Sequence, residues 1–421
     1  MRIWGEQAGR RWDVVAIVIL VVWLIFDLTA RTFFGSVSWP DSVVDYHILY
    51  EASNHVIDTY EYPIDKPYPY PPPAVAIHAA SAVFPFPVSA AFWLALTGLA
   101  ALTTYAVLAR VLNLRRFAGL LFALPLAHLV VAYYFQWDMR SLNCNLIVLA
   151  AVVLGAAALS AQRNAATGFC FALAVAMKLL PVLLLPYLAW TRRWRAFAWM
   201  ACFSLLFWIA LPILAFGPTG FSEVYAGWRG ELARATDPNV KHYHPIIISL
   251  DKAAFHAMDH ETPAARVMIW GVCALWIGAG LLGAIASRMK RNHDGFAILA
   301  HVSLLIVGPA AVNPYLEPYH LVPLVVPSVL LLVAAADMRQ RAWVRLVAVV
   351  GFTLGLLILK ASSPWELRGL LVNAQALVLC GTASLVAWAR VANSAVPGAV
   401  LQAQINPRPR MRTRLPLVLT K

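Results

Sequence analysis

Charge is what this sequence has least of. Charged side chains make up 13% of its 421 residues while 61% are hydrophobic, and the mean hydropathy is +0.70. That excess excludes a soluble globular fold, whose surface could not be covered with so few polar groups. Cysteine is scarce as well. Cys144, Cys170, Cys202, Cys273 and Cys380 all fall inside apolar runs, which excludes a disulfide framework and a CxxC metal site. No aromatic-interleaved basic patch is present. The formal charge of +13 comes from Lys and Arg that punctuate hydrophobic segments, so topology explains it and nucleic acid is not expected as a partner. A cleavable leader is also missing: the first apolar run is of span length and lacks a small-residue cleavage site, so it reads as an anchor.

What is there is grease, distributed from end to end. A membrane-crossing helix needs about 20 apolar residues. Candidate spans are residues 14–34, 88–109, 117–136, 144–161, 197–217, 264–287, 296–312, 320–336, 344–360 and 369–390. The expected fold is all-α: a polytopic membrane domain over residues 1–395, with about ten full spans, followed by a basic tail at 396–421. The clusters Arg10-Arg11, Arg115-Arg116, Arg192-Arg193, Lys290-Arg291 and Arg339 to Arg345 are cytoplasmic by the positive-inside rule. External loops then cover 35–87 and 218–263.

Two segments do not fit simple crossing. Residues 73–84 are too short to span, and a crossing there would move Arg115-Arg116 outside; an interfacial helix on the outer face is expected. Residues 167–190 are long enough to span, yet Arg163 and Arg192-Arg193 on either side both read as cytoplasmic. A broken hairpin with Lys178 to Pro181 near its tip satisfies the charges, since non-helical backbone at membrane depth is tolerated where it is packed in protein or lines a polar cavity.

With this topology most carboxylates and nearly all histidines face outward, and so, therefore, does the function. Asp45 lies in VVDYHILYEA, where Val44, Ile48 and Ala52 predict one face of an amphipathic helix. It reads either as a solvated charge or as a carboxylate aimed into a cavity. The run YPYPPP, residues 68–73, predicts polyproline or turn geometry rather than helix, with Tyr68 and Tyr70 as sugar-stacking or belt aromatics. Lys178 sits in an apolar stretch, where an ammonium costs several kcal/mol unless it meets an anion or water; Asp27 or a lipid phosphate would serve. Arg140, in WDMRSLNCN with Asn143 and Asn145, is placed either to fork an anion or to pair with Asp138. Lys241, His242 and His244 in NVKHYHP lack zinc spacing and read as donors to an anionic or hydroxylated ligand. His320, closing NPYLEPYH after Glu317 and Tyr319, reads as a phosphoryl donor, a proton shuttle or a helix cap.

Taken in order, DYHILYEA, YPYPPP, MKLLP with the basic RRW a dozen residues on, and EPYHLVPLVVP resemble the motifs of glycosyltransferase family 87, multi-span enzymes that use polyprenyl-phosphate mannose. The resemblance covers residues 14–390. It implies a glycosyltransferase of the C type that transfers mannose from a polyprenyl-phosphate donor to a hydroxyl of a glycolipid or glycan. It places the active site on the periplasmic or outer face of the cell's inner (plasma) membrane. Asp45 and His320 would be catalytic; Lys178, Arg140, Lys241, His242 and His244 would bind the donor phosphate; Tyr68, Tyr70, Asn143, Glu317 and Tyr319 would bind sugar or acceptor. No metal or cofactor is implied, and membrane lipids are the surroundings. IDTYEYPID and NVKHYH depart from the family pattern, which bears on the identity of the acceptor more than on that of the donor. The competing readings are a transporter or flippase of lipid-linked sugars, and a related transferase that uses a pentose or aminosugar. A transporter commonly carries internal repeats, which are not evident here.

Overall fold

A computed structural model describes residues 2–30, 44–62, 70–114, 120–235, 294–311, 318–360 and 368–393, with single positions between 267 and 278. Among the described residues the chain is helical throughout, without strands. The helices are α1 (Arg2–Ala30), α2 (Val44–Thr59), α3 (Pro72–Ala82), α4 (Phe86–Val111), α5 (Ala123–Ser141), α6 (Asn145–Ser160), α7 (Asn164–Met177), α8 (Leu184–Trp190), α9 (Trp194–Leu205), α10 (Leu211–Ala235), α11 (Gly295–Ala311), α12 (Val325–Ala336), α13 (Ala342–Lys360) and α14 (Arg368–Asn393). Four stretches, Phe86–Val111, Leu120–Ser141, Trp194–Ala233 and Leu371–Arg390, are long and apolar enough to cross a membrane, and shorter apolar helices accompany them. This is an all-α membrane protein.

Sequence periodicity sets which face of each helix is covered. In α1, Ala16, Leu20, Leu24 and Asp27 are buried at helical spacing, while Val14, Val18, Val22, Ile25 and Phe26 are exposed and suit lipid. The buried face packs on α5. In α2 the buried side chains are Tyr46, Leu49, Ala52, Ser53 and Val56. The face is therefore turned relative to the expected one, because Ile48 is only partly covered and Tyr46 is the anchor. Its hydroxyl hydrogen-bonds with the hydroxyls of Ser81 at 3.2 Å and Ser89 at 2.6 Å, and Trp93 Nε1 donates to Ser81 Oγ at 2.7 Å. These contacts pin α2 to α3 and α4.

The short helix expected over 73–84 is present as α3, with two corrections. Pro72 and Pro73 belong to it rather than to a polyproline run, since proline is compatible with the first helical turn, where its missing N–H has no partner to lose. Nor does α3 lie open on a surface. Nearly all of it is buried, because its many alanines let α2, α4 and α10 close over it.

The stretch expected as a broken hairpin does break. Helix α7 stops at Met177, and Lys178 is extended, with φ −147° and ψ 135°. Pro181 explains the stop, since its ring would strike the Met177 carbonyl of a continued helix. A 3₁₀ turn, Leu180–Leu183, leads into α8. The two ends of this segment lie close together, as Arg193 at the start of α9 donates through Nη1 to the Leu159 carbonyl at 3.4 Å, beside the start of α7. Helices α7 and α9 run against each other, and a Cβ at Gly168 would meet the backbone of Trp199 and Met200 at 2.6 Å. Only glycine permits that approach.

Beyond α9, a π-helical turn, Leu206–Ala210, continues into α10. Gly217, with φ 72° and ψ 171°, kinks it in a backbone region essentially reserved for glycine. The portion after the kink had been expected as loop. It is helical to Ala235 and packs on α3 and α2, with Gly220 against Tyr60 and Gly227 against Tyr62. The candidate span 264–287 and the tail lie mostly or wholly outside the described residues.

Candidate functional site

Two interruptions of helix meet inside the bundle. The first is the corner between α5 and α6. Leu142 adopts a left-handed conformation, φ 48° and ψ 41°, with its N–H on the Asp138 carbonyl, and the Asn143 N–H reaches the same carbonyl at 3.2 Å. This left-handed cap turns the chain, and α6 starts at Asn145. The second is the break at Lys178.

A continuous polar network joins them. Lys178 Nζ donates to Asn145 Oδ1 at 2.8 Å. Asn145 Nδ2 donates to Asp138 Oδ1 at 2.7 Å and to Asn143 Oδ1 at 3.0 Å. The other oxygen of Asp138 accepts the Leu146 N–H at 3.1 Å. Asp138, Asn143 and Asn145 are all buried, so each bond substitutes for lost water. Tyr70 also lies against the ammonium, its ring centroid 5.7 Å from Lys178 Nζ. That aromatic is held in turn by Tyr62, whose hydroxyl donates to the Tyr70 carbonyl at 3.0 Å, and by a side-chain hydrogen bond with Cys144. Beyond Tyr70 lies His78, edge-on at 6.2 Å and packed on Trp93 at 4.3 Å.

His320 belongs to this neighbourhood. It lies in the 3₁₀ turn Pro318–Leu324, which packs on α5 and α6, and it is close enough to feel the charge of Lys178. Arg140 is in the last turn of α5 and lies over the Trp137 ring at 5.7 Å. The expected alternative, a pair with Asp138, does not form, because that carboxylate is turned inward to α6. Asp45 is the second residue of α2, four, seven and eleven positions ahead of the buried Leu49, Ala52 and Val56. Tyr68, Lys241, His242, His244 and Glu317 lie outside the described residues, and Tyr319 is described in its backbone alone.

Asp27 is not the partner of Lys178. It is buried against α5, where its Oδ2 meets His128 Nε2 at 2.8 Å and its Oδ1 accepts from Gln136 Nε2 at 2.8 Å. Tyr105 Oη lies 2.7 Å from His128 Nδ1, which closes a four-residue network across α1, α4 and α5. Sequence reasoning missed both this network and the role of Asn145. Asp27 and His128 are 101 positions apart, and nothing local ties them. A scan for charges also passes over a neutral amide, although Asn145 stood within the WDMRSLNCN stretch already singled out.

An ammonium held by a neutral amide, roofed by an aromatic ring and within electrostatic reach of an imidazole can bind a phosphate and neutralise charge that develops on it. Comparison with curated proteins and with solved structures gives no match. A family model described as Glycosyltransferase family 87 matches residues 68–313, a stretch that takes in Tyr70, Asp138, Asn145 and Lys178 and leaves Asp45 and His320 outside. More than half of the chain is matched, and the chain is therefore a member of glycosyltransferase family 87.

Proposed function

We propose that this glycosyltransferase moves mannose from a polyprenyl-phosphate donor to a hydroxyl of a glycolipid or glycan, at the outer face of the membrane, with inversion at the anomeric carbon. One observation carries the reading: a lysine ammonium at a helix break within an apolar bundle, set by a buried hydrogen-bonded network and within electrostatic reach of a histidine. A phosphate on a hydrocarbon chain suits such a place, because the chain can remain in lipid while the headgroup meets the cation.

In the reaction the acceptor oxygen attacks the anomeric carbon as the bond from that carbon to the phosphate oxygen breaks, its electron pair leaving with the lipid phosphate. Lys178 stabilises that leaving charge, and His320 donates an N–H to a phosphoryl oxygen. Asp45 takes the proton of the acceptor hydroxyl as general base. A second carboxylate of the kind glycosidases need has no task here, because a phosphate is already a good leaving group once its charge is met. Ten spans with the α7–α8 segment as a re-entrant hairpin give the topology that keeps the basic clusters on the cytoplasmic side.

The test is Asp45→Asn in purified protein. Transfer falls by about 10²–10⁴-fold, the usual contribution of a positioned base, while donor binding is retained. Transfer at the wild-type rate would remove Asp45 from the mechanism.

A further inference from the structure

Lys178, the lysine of the proposed phosphate site, is linked to the carboxylate of Asp138 through one intervening residue. Asn145 stands between them, accepting from Lys178 Nζ on Oδ1 and donating from Nδ2 to both Asp138 Oδ1 and Asn143 Oδ1. Those two acceptors fix the amide. Turned over, it would set its carbonyl oxygen against a carboxylate and a second carbonyl, and its NH₂ against an ammonium. Asp138 is fully buried; its oxygens go to Asn145 and to the Leu146 N–H, and among the described residues it forms no ion pair. Its charge nevertheless reaches Lys178 through space.

We infer that Asp138 and Asn145 are positioning residues for the donor phosphate: Asp138 sets the amide, the amide sets the ammonium, and the amide also prevents the carboxylate from capturing it. The inference rests on the reading of Lys178 as the phosphate ligand. Spacing by one amide has a physical consequence. In a medium of low dielectric a direct carboxylate–ammonium contact is strong, and hydrogen bonds between two ionised groups are about twice as strong as those to neutral partners. An incoming phosphate would have to break such a contact. Against a neutral carbonyl oxygen it competes with a weaker bond, while the carboxylate behind the amide still favours the charged lysine. An ammonium has three N–H donors, and Asn145 directs one of them, which orients the rest.

The experiment is a double-mutant cycle on binding of a polyprenyl monophosphate to the detergent-solubilised protein. Lys178→Met weakens binding. Asp138→Asn weakens it by about tenfold in the wild-type background, a coupling ordinary for residues of one hydrogen-bonded network, and by less than about twofold when Lys178 is already Met. Equal losses in both backgrounds would overturn the positioning role and leave the phosphate role of Lys178 standing. Unchanged binding in Lys178→Met would instead sink the phosphate reading, and this inference with it. Asn145→Asp supplies a check that keeps the side-chain shape: it puts a carboxylate directly on Lys178, so binding falls by at least about tenfold, whereas binding as tight as wild type would contradict the spacer role.

Discussion

Asp27→Leu and Asp27→Asn should differ sharply, although both remove the same carboxylate. Asp27 accepts hydrogen bonds from His128 Nε2 and Gln136 Nε2, each at 2.8 Å, and His128 and Asp27 are buried. Leucine keeps the branched shape and accepts nothing, so a buried imidazole and a partly buried amide lose their partner. A buried group left unsatisfied costs about 1–3 kcal/mol and the half-covered amide less, which puts Asp27→Leu at about 2–4 kcal/mol of lost stability. Asparagine keeps one acceptor and adds a donor. The network can absorb it, because His128 can exchange tautomers with Tyr105 Oη on its far side, or the Gln136 amide can turn over. The expected cost is below about 1.5 kcal/mol, the net worth of a single hydrogen bond. Equilibrium unfolding in mixed micelles, followed through the chain's 16 tryptophans, measures both. Equal losses would show that the negative charge, not the count of hydrogen bonds, holds α1 to α5, and the account given for this network would be wrong.

Two further outcomes follow from local geometry. Gly217→Ala is expected to cost about 1–3 kcal/mol in the same unfolding assay, from backbone strain alone, because φ is 72° and nothing lies within 4 Å of a Cβ there; an unchanged stability would refute the kink's dependence on glycine. Asp337, just after α12, has its carboxyl lowered from 3.8 to about 2: partial burial opposes the shift, and donors from Arg339 and Gln340 outweigh it. A depressed carboxyl stabilises the fold above its unfolded value and loses that contribution as pH falls through the folded one, so stability should drop between pH 3.8 and about 2. Asp337→Asn should flatten that drop, and an identical acid profile in the variant would contradict the assignment.

Helices whose apolar runs are uninterrupted were legible almost to the residue. The expected 144–161 is Asn145–Ser160, and the expected 344–360 is Ala342–Lys360. The break at Lys178 was legible too, since a charge followed by proline in an apolar stretch conflicts with both lipid and helix. Composition failed where burial depends on small residues or mixed polarity. Helix α3 is alanine-rich and gives no amphipathic signal, so its burial could not be foreseen. The part of α10 after the kink mixes Ser222, Glu223, Arg229 and Glu231 with Phe221, Tyr225 and Trp228, a pattern that reads as loop; what packs on α2 is its small-residue face, with Gly220 against Tyr60 and Gly227 against Tyr62, while Tyr225 and Trp228 turn to Trp208. Of the site, Lys178 stood out by its cost in a membrane, and His320 by its place at a span's mouth. Its organising amide did not stand out, because a neutral asparagine declares its role through three-dimensional contacts alone.

The measurement closest to the central claim is transfer itself. Purified protein in lipid is given labelled polyprenyl-phosphate mannose and an extract of membrane glycolipids, and in parallel a labelled nucleotide sugar. The account predicts labelled, anomerically inverted glycolipid or glycan from the lipid-phosphate donor and none from the nucleotide sugar. Efficient use of the nucleotide sugar, or retention of the anomeric configuration, would contradict it.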